Sequence, residues 1–532
     1  MFNIKSIKRS FSSGRRKLLL SAALLGTLGA ISVQPTWAAD DDKKVLHTRS
    51  YTDIQTLDPA FYSAAVEEDV MGAIYNKLIY YKPGNTWEWE LQAAKSIEQV
   101  DPTHIAFELR QGIMFSNGFG EMTAEDVKFS FERFIDPAIE SPVASDWGPL
   151  DHVEVTGKYT GTIVLKEPFQ PLWNITLPYA AGNILSKKAV ESVNGKFGTN
   201  PPAISGPYRI KKWQPKQVVV LERNPQWHGD TPEFDAIYIH QIDDEKTAEI
   251  AFESGDIDFT RVSLSSLENY RAAPPKNSSL SEHPSLFYVW VGINQENAKL
   301  QDPRVRKAVQ LSIDVPSILA AAYFNAADAA TGIIAPGLTG HREKSLLPPK
   351  ANYAEAKALL AEAGYASGID LTLDILNKSS FMTAAQVMQA TMAQAGIRLQ
   401  INLHESGSFW SLGSESSGER WKNIELIMNR FSMTPDPYYA TQWFVEKQVG
   451  VWNWERFRNT QFDQLHAKAL GESSEAKRSA MYQKMQDIME QSGSYRFITH
   501  ESTPVVYRNS ISPALRPDGT PLYRSFKLTA AQ

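Results

Sequence analysis

The stretch from Phe107 to Asp136 changes its hydrophobic pattern twice, and this constrains the fold more than any other part of the chain. Phe107 and Leu109 alternate with charged residues, which predicts a half-buried strand. Asn117-Gly118 then supplies turn chemistry, because both residues tolerate positive φ. Thr123 is placed to begin a helix, with two acids in its first turn. The apolar positions that follow share one helical face: Val127, Phe131 and Phe134. The stretch therefore predicts a packed strand, turn and helix without a reactive group.

A second patterned region begins at Ile204. It predicts strands over 208–213 and 218–222, joined by the turn Gln214-Pro215-Lys216-Gln217 as a hairpin. A strand over 234–242 and a helix over 246–254 follow as part of a β-α-β unit.

Alternating elements recur in the second half of the chain. The run 286–293 is almost continuously apolar, as a buried strand is. Strands over 371–376 and 397–403 flank a helix over 382–394, which predicts a second α/β unit with a parallel sheet. The 532 residues are too many for one core, so we expect two or three domains.

These patterns resemble, in order along the chain, the periplasmic solute-binding proteins of peptide/nickel-type ABC importers. That family, solute-binding protein family 5, includes the dipeptide- and oligopeptide-binding proteins. The first stretch is similar to the family segment LRxGxxFxxGxxxTAxDVxxSxxR, and 204–229 is similar to GPYxxxxWxPGxxxxLxRNPxYxxG. Lys216 replaces a glycine and Trp227 a tyrosine in the second segment. The matching residues of the first are Leu109, Arg110, Gly112, Phe115, Gly118, Thr123, Ala124, Asp126, Val127, Ser130 and Arg133.

The resemblance implies an α/β, two-lobed periplasmic-binding-protein (venus-flytrap) fold with an extra small α/β subdomain in the first lobe. Under this division residues 1–38 are a signal peptide. The first lobe then comprises 39–80, 204–283 and 499–532, with the extra subdomain at 81–203 and the second lobe at 284–498.

The N-terminus has the composition of an export signal. Six basic residues and no acid lie within 1–38, the apolar run Leu18–Val33 follows them, and Thr36-Trp37-Ala38 is a cleavage pattern. Arg15-Arg16 resembles a twin-arginine signal, and ordinary Sec export stays open beside it. The chain contains no cysteine, so we expect no lipid anchor. We therefore expect a periplasmic protein.

Charge and motifs exclude several function classes. Without residues 1–38 the chain has 48 basic and 60 acidic residues, a net charge of −12, which argues against nucleic acid as a partner. It contains no G-x-S-x-G, H-E-x-x-H, P-loop or G-x-G-x-x-G motif, and its histidines include no i, i+4 pair. We expect no enzymatic activity, no cofactor and no metal, and a monomer whose partners are its ligand and an ABC permease.

The resemblance also implies that a ligand lies between the two lobes. One flank would be the loop after the first strand, and the other the segments that follow three strands of the second lobe. Such segments suit binding because open α/β sheets take ligands at the carboxyl ends of their strands. The candidate ligand-binding residues are Tyr62, Ser63, Lys378, Phe409, Trp410, Arg430, Phe431, Trp452 and Asn453.

One departure from the family bears on the ligand. Peptide receptors of the family hold the peptide ammonium with an Asp shortly before an acidic-Pro step, which here is Asp436-Pro437. The preceding stretch from Leu426 to Pro435 contains no acid. Arg430 and Lys378 favour a carboxylate or phosphate instead. The alternative is that Arg430 pairs with Glu405 or another residue of the wall.

The sequence therefore predicts a substrate-binding protein of an ABC importer that takes a peptide or a peptide-like polar solute. A receptor for a non-peptide anion, such as an opine or a sugar conjugate, is one alternative. A periplasmic chaperone or signalling receptor is another.

Overall fold

The computed structural model describes residues 44–529, so the predicted signal segment lies outside the described residues. Within residues 44–529, no helix is long and apolar enough to cross a membrane. The main strands are β1 (Val45–Ser50), β2 (Ala94–Asp101), β3 (His104–Leu109), β4 (Leu150–Val155), β5 (Thr160–Leu165), β6 (Tyr208–Gln214), β7 (Val218–Arg223), β8 (Ala236–Gln241), β9 (Phe259–Arg261), β10 (Ser278–Ile293), β11 (Ile369–Leu376), β12 (Ile397–His404), β13 (Leu426–Ser432) and β14 (Tyr495–Arg508).

Helices connect and cover these strands. The longer ones are α1 (Ala65–Ile74), α2 (Ala124–Ile135), α3 (Glu245–Ser254), α4 (Leu264–Ala272), α5 (Pro303–Ser312), α6 (Val315–Ala322), α7 (Tyr353–Glu362), α8 (Ser379–Met392), α9 (Thr460–Gly471) and α10 (Glu475–Gln491). Shorter helices span Lys187–Glu191, Ser406–Phe409 and Tyr438–Thr441.

One ten-stranded sheet organises the molecule, in the order β6-β7-β8-β1-β9-β14-β10-β13-β11-β12. We call the part built on β6, β7, β8, β1 and β9 the first lobe, and the part built on β13, β11 and β12 the second lobe. β1 pairs in parallel with β8 and β9, and β11 pairs in parallel with β12 and β13, while β10 and β13 are antiparallel. The second lobe thus contains the predicted parallel strands within a mixed sheet.

The two long strands β10 and β14 join the lobes. Ser278–Pro284 pairs with Ser502–Arg508, and after a register shift Tyr288–Gly292 pairs with Tyr495–His500. Each lobe has a hydrophobic core of its own, with Leu46 and Ile237 in the first lobe's core and Leu373 and Ile375 in the second's. The ladder between β10 and β14 is thus interrupted between Pro284 and Tyr288.

A small antiparallel sheet, β2-β3-β5-β4, forms a third core with α2. Val127, Phe131 and Phe134 of α2 are buried in it, as the helical spacing predicted. Asn117 and Gly118 have φ values of 59° and 78°, so the predicted turn uses the left-handed region. At the start of α2, Asp126 Oδ2 accepts hydrogen bonds from the backbone N and Oγ1 of Thr123, both at 2.9 Å.

Most element positions agree with the sequence patterns, and the differences are at element ends. β10 starts at Ser278, eight residues before the apolar run, because its first half pairs at the molecular surface with β14. α8 starts at Ser379 instead of 382, since Ser379 and Ser380 belong to its polar first turn. Lys216, which stands where the family has a turn glycine, has a φ of 59°. The division of the chain into the segments given above stays a prediction.

Candidate functional site

Two adjoining cavities of about 910 and 460 Å³ lie between the lobes. The larger is walled by the ends of β1 and β9, by α1 and by the C-terminal segment on one side, and by Ser432–Pro435 on the other. The smaller extends toward the second lobe, where Tyr323, Lys378 and Arg430 line it. The residues that line both are Glu245, Arg261, Ser263, Ser265 and Phe287. The cavities together form one cleft with polar and charged walls.

Strand ends position several of the charged groups in this cleft. Arg261 is the last residue of β9, Lys378 lies two residues after β11, and Arg430 is near the end of β13. The predicted use of carboxyl strand ends therefore brings Lys378 and Arg430 together at the smaller cavity. Arg261 of the first lobe faces the same space.

Both predicted cations of the second lobe are paired with one acid. Glu501 Oε2 accepts a hydrogen bond from Nε of Arg430 at 2.8 Å and lies 2.6 Å from its Nη2 in an ion pair, and Glu501 Oε1 accepts from Lys378 Nζ at 3.1 Å. Burial alone would raise the pKa of Glu501, but these hydrogen bonds and charges outweigh it, and its pKa is lowered. Arg430 also lies over the Phe287 ring at 3.4 Å. The wall partner of Arg430 is thus Glu501, while Glu405 accepts a hydrogen bond from Asn377 Nδ2.

The predicted aromatic residues pack mainly against one another. Phe409 is fully buried in a cluster with Trp454. Phe431 is half-buried, and its ring centroid lies 6.2 Å from that of Trp410 and 6.0 Å from that of Trp452. None of these side chains is among the described residues that line either cavity. The structure therefore brings these aromatic residues together without bringing them to the cleft.

Asn453 also lies outside the cleft. Its side chain is fully buried and bonds only to backbone, donating to the carbonyls of Phe444 and Phe457 at 3.1 and 2.8 Å and accepting from the Phe457 N–H at 3.0 Å. It thereby holds two loop segments of the second lobe together.

Tyr62 and Ser63 lie beside the cleft, at the start of α1. The Tyr62 hydroxyl donates to Asp146 Oδ2 at 2.7 Å, and the backbone N–H of Ser63 donates to Glu67 Oε2 at 2.6 Å. The cleft itself is lined from Ala65 onward, by α1 and its Asp69. Both predicted residues thus belong to the segment just before α1, and it is α1 that lines the larger cavity.

Several charged residues of the cleft were not predicted. Asp69 and Arg261 line the larger cavity, as does Arg516, whose Nη2 lies 3.4 Å from Oδ2 of Asp518. Burial raises the pKa of Asp69 to about 7, against the lowering influence of Arg516 and Arg261. The acidic run of residues 67–69 was a local signal for the first of these. The position of Arg516 beside it had no local signal, since the two are separated by most of the chain.

The acidic-Pro step has a structural role. Asp436 is fully buried, and its two carboxylate oxygens accept from Nη1 and Nη2 of Arg478 at 2.9 and 2.8 Å. Met433, three residues before this step, lines the larger cavity. Across residues 44–529 there is no group of three or more His, Asp or Glu side chains arranged to hold a metal ion.

Comparisons with known proteins agree with this architecture. Residues 88–451 match the family described as bacterial extracellular solute-binding proteins, family 5 Middle. The glutathione-binding protein GsiB of Salmonella paratyphi A is 25% identical over 476 residues, which cover 88% of this chain and 90% of that protein. The structure of HbpA2 from Haemophilus parasuis superposes with a TM-score of 0.80 at 22% identity, over 91% of this chain and 100% of that one. The periplasmic binding protein DppA from Helicobacter pylori, in complex with the peptide STSA, gives 0.69 at 23% identity over 91% and 98%.

Proposed function

The chain belongs to family 5 of the bacterial extracellular solute-binding proteins, and from this we propose that it captures a peptide or peptide-like solute in the periplasm for an ABC importer. The observation that carries the proposal is the polar, charged cleft of about 910 Å³ to which both lobes contribute walls. Ligand sites of small solutes commonly have volumes of roughly 300–1,000 Å³ and lie at domain interfaces.

Closure of the lobes over the ligand is the proposed mechanism. β10 and β14 connect the lobes, and their ladder is interrupted between Pro284 and Tyr288. Ser285 and Phe287 of this interruption line the cavities. Backbone that is not held in a continuous ladder can absorb the dihedral changes of a hinge. Rotation there would bury the ligand and present a new surface to the permease.

The ligand class follows from relatives and from cleft chemistry. A relative is named for binding glutathione, and a structural neighbour contains a tetrapeptide. Both ligands are small, polar and charged at two ends. The cleft offers both signs of charge, with acidic Asp69 and Asp518 beside basic Arg261 and Arg516. A peptide or peptide-like zwitterion complements such walls better than a purely anionic solute does.

Export and partners complete the proposal. Residues 1–38 would act as a cleavable signal peptide for Sec or twin-arginine export, and the exported chain would work as a monomer. Its partners would be the ligand and the permease subunits, and its acidic charge is unsuited to nucleic acid.

Mass spectrometry of ligand released from the protein purified from periplasm tests the proposal directly. We expect a peptide or a γ-glutamyl compound, and titration calorimetry with the identified compound should give a stoichiometry of about one. A protein that is recovered empty and binds neither glutathione nor any member of a tripeptide library would contradict the proposal.

A further inference from the structure

Two opposite charges in the larger cavity have no protein partner of their own. Asp69 and Arg261 both line it, and among residues 44–529 neither side chain takes part in a hydrogen bond or an ion pair. We propose that Asp69 and Arg261 form a zwitterion seat, in which Asp69 binds the ammonium of the ligand and Arg261 binds its carboxylate. This assignment rests on the proposed function and specifies which groups of the ligand are recognised.

Asp69 is the third of three consecutive acids in α1, and the first two have structural roles. Glu67 accepts hydrogen bonds from four backbone N–H groups, two in the loop after β1 and two just before the helix, those of Gln55, Thr56, Ser63 and Ala64. Glu68 pairs with Lys77 Nζ at 2.6 Å in the interior. Asp69 has no such role and is partly buried at the cavity wall. A desolvated carboxylate without a donor is unfavourable, so its presence there calls for a cationic partner from outside the chain.

The other acids of the larger cavity are satisfied in other ways. Asp243 accepts from Gln241 Nε2, Asp244 caps α3 through Thr247, and Asp518 lies against Arg516. Glu245 has no bonded partner within the described part of the chain, but it is exposed to water in the first turn of α3. Water and the helix dipole stabilise a carboxylate in that position. Asp69 is therefore the acid best placed to bind an ammonium.

Arg261 differs in the same way from the other basic residues that line the two cavities, because each of those has a partner within the described part of the chain. Arg49 donates to the backbone carbonyls of Ile242 and Asp243, Lys246 pairs with Glu249, and Arg516 pairs with Asp518. Arg430 and Lys378 share Glu501. The guanidinium of Arg261 is left as the cation that can form a charge-assisted, two-point contact with a ligand carboxylate.

The placement of the two groups favours one class of ligand. Asp69 and Arg261 line the same cavity, and the charge of Arg261, after that of Arg516, opposes the rise that burial causes in the pKa of Asp69. Yet they form no ion pair within 4.0 Å, which leaves space between them. A ligand with an ammonium and a carboxylate satisfies both at once, whereas a plain anion would lie against Asp69 unfavourably. Asp69 would also supply the ammonium partner that the segment before Asp436 lacks.

The test uses titration calorimetry with three matched probes. Trialanine carries both charges, propionyl-Ala-Ala lacks only the ammonium, and trialanine amide lacks only the terminal carboxylate. Glutathione is measured beside them. The variants are Asp69→Asn and Arg261→Gln, with Asp230→Asn as a charge-matched control on the exposed surface. Thermal unfolding checks each fold, and Asp69→Ser replaces Asp69→Asn if the latter does not fold.

We expect the wild type and the control to bind trialanine at least tenfold more tightly than propionyl-Ala-Ala. Asp69→Asn should bring these two affinities within about twofold, and Arg261→Gln should do the same for trialanine and its amide. An Asp69 variant that keeps the wild-type preference for the ammonium overturns the seat and leaves the proposed function standing. A wild type that binds neither glutathione nor any alanine probe overturns both.

Discussion

The buried ion pair between Asp58 and Arg133 allows a quantitative test of how α2 is fixed to the loop that follows β1. Nη1 and Nη2 of Arg133 donate to the two carboxylate oxygens of Asp58 at 2.9 and 2.8 Å, and the side chains are 4% and 0% exposed. A third bond runs from Arg133 to the Gly195 carbonyl at 2.8 Å. Asp58 lies in the loop after β1, and Arg133 lies in α2, within the stretch that resembles the family.

Arg133→Ala leaves the carboxylate of Asp58 in the interior with one remaining donor, the backbone N–H of Ala60 at 3.2 Å. Removing one member of a buried ion pair lowers the free energy of unfolding by about 3–5 kcal/mol. This pair is bidentate and almost unexposed, and we expect a loss near the middle of that range, about 4 kcal/mol. Arg133→Lys keeps the charge but loses the planar fork, so we expect a loss of about 2 kcal/mol.

Urea unfolding followed by tryptophan fluorescence measures these losses. The double variant Asp58→Ala, Arg133→Ala removes both charges, so it should be more stable than the sum of the single losses predicts, by at least about 2 kcal/mol. Arg304→Ala is the matched control, because Arg304 and Asp302 form the same kind of pair with side chains 48% and 31% exposed. We expect that control to lose less than about 1 kcal/mol. Strictly additive losses, or equal losses for Arg133→Ala and the control, would refute the reasoning.

Three further predictions concern charge in the second lobe. Glu501→Gln frees Arg430 and Lys378, so the affinity for carboxylate ligands should rise about tenfold and should fall more steeply with salt concentration. Calorimetry at two salt concentrations measures both effects. Unchanged affinities would show that these cations do not act on the ligand. Burial raises the pKa of Glu455 from 4.5 to about 7. The wild type should therefore lose about 3 kcal/mol of its free energy of unfolding as pH rises from 4.5 through 7, because the unfolded chain ionises this carboxyl first. In urea titrations Glu455→Gln should show no such decline. Burial lowers the pKa of His466 from 6.5 to about 4. Its contribution to stability is therefore present above pH 6.5, and about 3 kcal/mol of the free energy of unfolding should be lost as pH falls to 4. His466→Asn should flatten this pH dependence, and a wild type whose stability does not fall over this range would contradict the assignment.

The sequence was most informative where local patterns repeat. Alternation and helical spacing predicted the strands and helices of both lobes, and Asn117-Gly118 predicted a turn that the structure contains. These patterns are local because hydrogen bonding within an element and the burial of one face depend on neighbouring residues. The first residues of β10 and α8 were less predictable, because they are polar and do not follow the apolar periodicity of the strand or helix to which they belong.

The cleft was only partly predictable. Strand ends in the sequence pointed to the segments of Lys378 and Arg430, but not to Glu501, the one carboxylate with which both cations pair. Phe409 follows a strand end in the sequence as well, and its side chain is buried and does not line either cavity. A position at a strand end therefore indicates a candidate binding residue, but it does not determine whether the side chain points into the cleft or into the core.

The sequence by itself determined the family and the two-lobed α/β fold, because these depend on motifs that can be read locally. Only the tertiary structure decided which charges remain unpaired. Glu501 pairs with Arg430 across 71 residues and with Lys378 across 123, and the charges of Arg516 and Arg261, which are still farther away along the chain, act on Asp69 without an ion pair. The energy of a charge depends on burial and on neighbours within a few ångströms. Those neighbours are brought together by folding, and so the charge pairing in the cleft depends on contacts that no local pattern records.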